Sequence, residues 1–402
     1  MNETMSNQMR EATRLTREGR LAEATAVLQR ALRGDGEAET AATTPRRDTT
    51  AASGRPAAII DVDPDTGETM AFASTDRSGP PSGGYPLKAT PSALPDALRR
   101  FLGQSRQGRR SRATETLPDG ASFETRSFTN HAGSLGYKIY VPSTGRGEAM
   151  PLIVMLHGCT QTPDDFAAGT RMNMLAEEYR CVIAYPDQAH SANAQKCWNW
   201  FSPGDQRRDQ GEPALIAGIT HQTMHEHAVD RRRVYVAGLS AGGAAAAIMG
   251  AAYPDVFAAV GVHSGLACGA ARDVPSAFAA MRRGAPGSVT TGERRLVPTI
   301  VFHADKDSTV NPRNGDEVIA QSAGACGLRT EVERGQVPGG RAYTLTVHID
   351  AAGKRVLEQW LVHGAGHAWS GGSTSGSYTD PDGPDASREM LRFFLRHSLD
   401  RA

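Results

Sequence analysis

The 402-residue chain has no uninterrupted apolar run of membrane-spanning length, so no transmembrane helix is expected. Its first ten residues, Met1 to Arg10, are mostly polar and hold no apolar stretch of leader length. That reads as a cytoplasmic chain, with secretion as the alternative. A surplus of either charge is missing too: 44 Lys+Arg balance 44 Asp+Glu, which removes the basic surface that nucleic-acid binding needs. Short runs such as Arg231-Arg232-Arg233 read as solvated faces. Cysteine is scarce, five in all, odd in number and scattered, which is no disulfide framework. No C-x-x-C pair occurs, so a structural zinc site is not expected, and nothing in the sequence asks for a metal or another cofactor.

The composition changes along the chain. Residues 1–33 carry an amphipathic helical pattern, with Leu21, Ala24, Val27, Leu28, Ala31 and Leu32 on the apolar side. It resembles half of a tetratricopeptide-type hairpin, and one copy has no stacked neighbour to bury its face. Residues 34–115 are rich in Gly, Pro, Ser, Thr, Asp and Arg and read as a largely disordered linker. Ala57–Val62 could form a short docked strand there, and Leu94–Leu102 a short helix. The third region, 116–402, is the folded domain.

That domain opens with two alternating segments, Ser122–Phe128 and Gly136–Val141, as a β-hairpin does. Apolar strand patterns then alternate with helical ones. The strands are expected at Leu152–Leu156, Cys181–Ala184, Val234–Leu239, Phe257–Val262, Thr299–Phe302 and Val356–Val362. Such βα repeats imply an α/β fold, a mostly parallel sheet with helices on both faces. An amphipathic helix over Ala386–His397 comes last.

The chemistry centres on Gly238-Leu239-Ser240-Ala241-Gly242, a G-x-S-x-G between the strand Val234–Leu239 and an alanine-rich helix. A strand, a sharp turn and a helix lift a serine hydroxyl above the sheet on a strained backbone. The flanking glycines leave room where side chains would collide. A serine nucleophile needs a base and an acid, and in this arrangement they follow in the order Ser, Asp or Glu, His. Two aspartates compete in His303-Ala304-Asp305-Lys306-Asp307-Ser308-Thr309-Val310. The register, four residues after His303 with an apolar Val310 three further on, selects Asp307; Asp305 reads as a turn former. Of His363 and His367, His367 lies in the glycine-rich loop able to place an imidazole over Ser240. His363, at the strand end, reads as a packed or surface residue.

Leu156-His157-Gly158-Cys159-Thr160-Gln161 follows the early strand, where a second oxyanion donor belongs. The backbone N–H groups of Ala241 and Cys159 are the expected pair. Ser264 follows a strand without an elbow and is a decoy. His225 and His227 point to different sides of a helix and read as its exposed end rather than a metal pair.

The motifs at 156–161, Cys197-Trp198-Asn199-Trp200-Phe201, Arg233–Gly243, Gly366-His367-Ala368-Trp369 and Gly376-Ser377-Tyr378-Thr379-Asp380-Pro381 together resemble the poly(3-hydroxybutyrate) depolymerase family of esterases. The resemblance runs from about Gly120 to His397. It implies an α/β-hydrolase fold, a metal-independent serine esterase, and the same Ser240, Asp307, His367 and Cys159 roles. It also implies a polyester or small-ester substrate, with feruloyl and acetylxylan esters as the alternative. Trp198, Trp200 and Trp369 are the expected substrate-contact residues. Cys159 and Cys197 both border the site, and an oxidising compartment would let them pair. The N-terminal helices are expected to touch a polyhydroxyalkanoate granule or a partner.

Overall fold

A computed structural model describes residues 117–145, 147–285 and 295–400, with the backbone of Ile60–Val62 and Thr69–Ala71. The chain divides into two units, Met1–Lys88 and Ala89–Ala402. In the first, β1 (Ile60–Val62) pairs antiparallel with β2 (Thr69–Ala71), Asp61 opposite Met70. The strand expected over 57–62 is therefore present in its last three residues. The helices expected within 1–33 and over Leu94–Leu102, and the rest of the 34–115 linker, lie outside the described residues.

The second unit begins with the expected hairpin, β3 (Ser122–Asn130) and β4 (Gly133–Val141). Next come β5 (Met150–Leu156), α1 (Pro163–Thr170), α2 (Met172–Tyr179) and β6 (Val182–Asp187). Then follow α3 (Gly211–Glu226), β7 (Val229–Leu239), α4 (Ala241–Ala252) and β8 (Ala259–His263). α5 (Val274–Arg283), β9 (Thr299–Ala304) and α6 (Arg313–Ala323) continue the alternation. β10 (Arg329–Gln336), β11 (Ala342–Ile349) and β12 (Arg355–Val362) form an antiparallel meander. The short parallel pair β13 (Trp369–Ser370) and β14 (Thr379–Asp380) precedes the last helix, α7 (Ala386–Phe394).

Ten strands make one sheet in the order β10-β11-β12-β9-β8-β7-β5-β6-β4-β3. The six central strands, β12 to β6, run parallel, and two antiparallel strands cap each edge. Consecutive residues of a strand face opposite sides, and β7 shows the consequence. Val234 and Val236 join a core packed by α3, α4, α5 and α6, while Tyr235, Ala237 and Leu239 join one packed by α1, α2 and α7. Central strands covered on both faces read as continuous apolar runs, and β5 is buried at all seven positions. Ligands of such sheets sit beyond the carboxyl ends of the parallel strands. The ends of β5, β7, β9 and β12 lead directly into the four loops of interest.

Local chemistry sets the helix starts. Thr162 Oγ1 accepts the Asp165 N–H at 3.2 Å with Pro163 in the first turn of α1. Asp273 and Ser276 cap each other reciprocally at the start of α5.

Candidate active site

Ser240 stands between the last residue of β7 and the first of α4, with φ 58° and ψ −118°. A non-glycine residue at positive φ stores backbone strain, and the surroundings over-determine it. Ser240 N–H donates to His263 O at 2.8 Å, and Ser240 O accepts the Ala244 N–H at 2.9 Å. The turn is too tight for side chains at its flanks. A Cβ on Gly238 would lie 2.3 Å from Gly242 O, and one on Gly242 would lie 2.0 Å from Leu156 O.

Asp307 lies in the loop after β9, buried. Its Oδ1 accepts the N–H groups of Thr309 at 2.9 Å and Val310 at 2.8 Å. Its Oδ2 is 2.7 Å from His367 Nδ1. Burial by itself would raise the Asp307 carboxyl, but the His367 charge, with hydrogen bonds from His303 and His367, outweighs it and holds the group well below the usual carboxylate range. His303 Nε2 sits 3.4 Å from the same Oδ2 and 2.9 Å from Val310 O. The His303-to-Val310 register is thus a closed local structure around the carboxylate.

The competing pair occupies a separate place. Asp305 Oδ2 is 3.1 Å from His363 Nδ1, and Asp305 Oδ1 accepts the Gly364 N–H at 2.8 Å. His363 Nε2 meets Thr344 Oγ1 at 2.9 Å. The structure therefore couples Asp305 to His363 and Asp307 to His367.

Ser240 and His367 line one cleft together with Gly158, Cys159, Gln161, Leu239 and Tyr378. Its open volume is about 190 Å³. The turn 157–161 forms one wall, and three of its amides separate by function. Gly158 N–H donates to Gln161 Oε1 at 2.9 Å, and Thr160 N–H donates to Gln195 O at 2.7 Å. Among the described residues, the Cys159 N–H has no acceptor. Ala241 opens α4, where the first N–H groups of a helix have no intrahelical partner.

The loop 188–199 backs this turn. Cys159 and Cys197 form a disulfide with Cα atoms 4.2 Å apart. Trp198 Nε1 donates to His157 O at 3.0 Å, and Gln188 N–H donates to His157 Nε2 at 3.1 Å. Burial pushes the His157 imidazole down to about 4, so it is a neutral acceptor at neutral pH. From α3, Glu212 accepts the N–H and side-chain amide of Asn199 at 2.8 and 2.7 Å. Burial, with Asp205 nearby, pushes the Glu212 carboxyl up to about 7.

The expectation that Trp198, Trp200 and Trp369 contact substrate is corrected by their placement. All three are buried and none lines the cleft. Trp369 stacks on His263 with ring centroids 4.9 Å apart, meets Phe166 edge-on, and donates from Nε1 to Ser387 Oγ at 3.0 Å. Trp198 packs on His157, and Trp200 on Phe201. Trp198 and Trp369, large rings whose N–H groups are satisfied inside the protein, gain more from burial than from exposure at a small cleft.

Ser264 is fully buried, 3.2 Å from His263 Nδ1, and has no access to substrate. Among the described residues no three His, Cys, Asp or Glu side chains are arranged to hold a metal ion. Gln161 and Tyr378 are cleft residues whose motifs are visible in the sequence but whose places in the site are not.

The family model for esterase PHB depolymerase matches residues 135–332. The chain is 34% identical over 252 residues to poly(3-hydroxyalkanoate) depolymerase C of Paucimonas lemoignei, covering 60% of this chain and 60% of that protein. It is 28% identical over 261 residues to feruloyl esterase B of Thermothelomyces thermophilus, covering 61% of this chain and 87% of that one. An acetyl xylan esterase from Aspergillus awamori has a similar structure, with a TM-score of 0.54 at 21% identity, over 68% of this chain and 99% of that one. That likeness shows the α/β-hydrolase fold. Residues 135–332 are thus similar to the esterase PHB depolymerase family, and the chain spans about 60% of the length of the depolymerase it matches.

Proposed function

We propose that this chain is a serine carboxylic-ester hydrolase that cleaves poly(3-hydroxybutyrate) or related short-chain polyesters and oligoesters through an acyl-Ser240 intermediate. The observation that carries the reading is the 2.7 Å contact of His367 Nδ1 with Asp307 Oδ2, on an imidazole that shares its cleft with the elbow serine.

In this catalytic triad His367 Nε2 takes the Ser240 proton as Oγ attacks the ester carbonyl. Asp307 holds the ring in the tautomer that leaves Nε2 free and stabilises the imidazolium. The tetrahedral oxyanion receives hydrogen bonds from the Cys159 and Ala241 N–H groups, fixed before the charge develops. His367 then protonates the leaving alcohol, and the acyl-serine is hydrolysed by a water that His367 activates in turn. No step needs a metal or an organic cofactor.

One observation supports a short acyl group: the 34% identical relative is named a poly(3-hydroxyalkanoate) depolymerase. Feruloyl and acetylxylan esters are the alternative that the other relatives' names support. A panel of short-chain nitrophenyl esters, feruloyl esters and amorphous polyhydroxybutyrate separates them. Activity confined to feruloyl esters contradicts the proposal.

The Cys159–Cys197 bridge supports an oxidising compartment as the place of work, in favour of secretion over the cytoplasm. Contact with an amorphous polyester surface through the amphipathic pattern of residues 1–33 belongs to the same proposal. Deletion of residues 1–110 with granule binding unchanged would remove that contact.

A further inference from the structure

We infer that Gln161 is a positioning residue that aims the Cys159 N–H at the oxyanion, and that Asp165 and Ser377 hold Gln161 in place. The inference rests on the acyl-Ser240 reading above. Gln161 closes the first of the sequence motifs around the site, Ser377 lies in the last, and neither has a role in the triad.

The side chain of Gln161 is 2% exposed and uses both ends of its amide. Oε1 accepts the Gly158 N–H at 2.9 Å. Nε2 donates to Asp165 Oδ2 at 2.9 Å and reaches Ser377 O at 3.2 Å. Asp165 in turn accepts the Ser377 N–H at 3.1 Å and the Ser377 hydroxyl at 2.5 Å. The turn on the cleft wall, the first turn of α1 and the segment ahead of β14 are thus tied at one side chain.

The consequence falls on Cys159. Its two neighbouring peptides are fixed from opposite sides, Gly158 by Gln161 and Thr160 by Gln195. Gly158 O, on the same peptide as the Cys159 N–H, is held by His157 Nδ1 at 2.8 Å and the Gln161 N–H at 3.3 Å. Residue 161 therefore acts on this peptide through its backbone and on the preceding one through its side chain. The direction of the Cys159 N–H is set with both flanking N–H groups consumed inside the protein. Preorganised donors count because they need no reorganisation when charge develops. The disulfide and Trp198 hold the same turn from behind, but neither fixes the Gly158 peptide.

The site requires a carboxamide. One end must accept from an amide and the other must donate to a carboxylate, which neither a carboxylate nor a thioether of equal length does. The ionisable groups near position 161 are Asp165 on α1, His157 on the same turn, and His367 and Tyr378 on the cleft.

The test uses the full chain with Gln161→Met, which keeps the volume, and Gln161→Glu, which keeps the acceptor. Both are measured for kcat and KM on a short-chain nitrophenyl ester between pH 5 and 8, with thermal melts alongside. The expected kcat loss is about 10- to 100-fold with KM within about twofold, less than outright removal of an oxyanion donor. In Gln161→Glu the new carboxylate faces Asp165, so its kcat relative to the parent rises as pH falls and protonation restores a donor. Dividing by the parent cancels the titration of His367. A kcat within twofold of the parent, a loss carried by KM, or a flat Gln161→Glu ratio overturns the inference. If Gln161→Met does not fold, the Gln161→Glu ratio decides alone. Labelling of the parent at Ser240 by a fluorophosphonate separates the two readings, because its absence indicts the acyl-serine mechanism and not Gln161.

Discussion

His367 Nδ1 and Asp307 Oδ2 are 2.7 Å apart, while two residues upstream of Asp307 the carboxylate of Asp305 engages a different imidazole, that of His363, at 3.1 Å. Each of the two acids that compete within His303–Val310 therefore has its own histidine in the loop after β12. The division predicts unequal mutants. Asp307→Asn should lower kcat by about 10⁴, the size of effect seen when a triad loses its orienting carboxylate. Asp305→Asn should stay within about tenfold of the parent, because it alters only the contact with His363, an imidazole that does not line the cleft, and keeps an oxygen to accept the Gly364 N–H. Steady-state kinetics of both variants at neutral pH checks the assignment, and a larger loss in Asp305→Asn would reverse it.

Asp307 also links the site to acid stability. Its carboxyl is depressed in the folded chain, because the opposing burial is outweighed by the His367 charge and the histidine hydrogen bonds. The folded state then binds fewer protons than the unfolded state at this group. Its stabilising contribution is complete above the ordinary aspartate value of 3.8 and is lost as pH falls through and below it. Denaturant melts from pH 6 downward should show a steeper acid loss in the parent than in Asp307→Asn. Equal slopes would mean that the carboxylate is not held ionised by its neighbours.

The Cys159–Cys197 bridge closes a segment of 38 residues. A loop of that length corresponds to about 3–4 kcal/mol of unfolded-state entropy. Cys197→Ser should therefore lower unfolding free energy by about that amount, measured by denaturant titration. Mass spectrometry of the untreated chain should find these two cysteines joined and Cys181, Cys268 and Cys326 as thiols. Free thiols at 159 and 197 in protein made under oxidising conditions would contradict the pairing.

Buried indoles give a third contrast. Trp369→Phe keeps most of the ring but loses the Nε1 bond to Ser387 and part of the contact with His263. A stability loss of about 1–3 kcal/mol is expected, with KM for short esters unchanged. A changed substrate preference without a stability loss would restore the substrate-contact role that burial argues against.

Much of this arrangement is legible in the residues. β5, β8, β9 and the second half of β7, Val234–Leu239, are buried and mostly apolar because helices cover both faces, so their positions can be read without partners. The elbow is legible because sterics leave few solutions: at Gly238 and Gly242 any Cβ meets backbone. The meander β10–β11 is not legible, since β10 is a solvent-facing edge, Arg329-Thr330-Glu331-Val332-Glu333-Arg334, with no apolar alternation. The roles of the tryptophans are not legible either. Trp369 is two residues from His367 in sequence, yet its side chain turns into the core of β8 and α7. Gln161 illustrates the same limit, because its partners Asp165 and Ser377 come from α1 and from a loop more than 200 residues away.

The central claim is that Ser240 forms the acyl-enzyme. The direct measurement is turnover of a short-chain nitrophenyl ester by purified Ser240→Ala, paired with mass spectrometry of the parent after rapid quenching. The expected results are a fall in kcat of about 10⁶ and a parent adduct on the peptide containing Ser240. A Ser240→Ala variant within tenfold of the parent, or an adduct on another residue, would contradict the account.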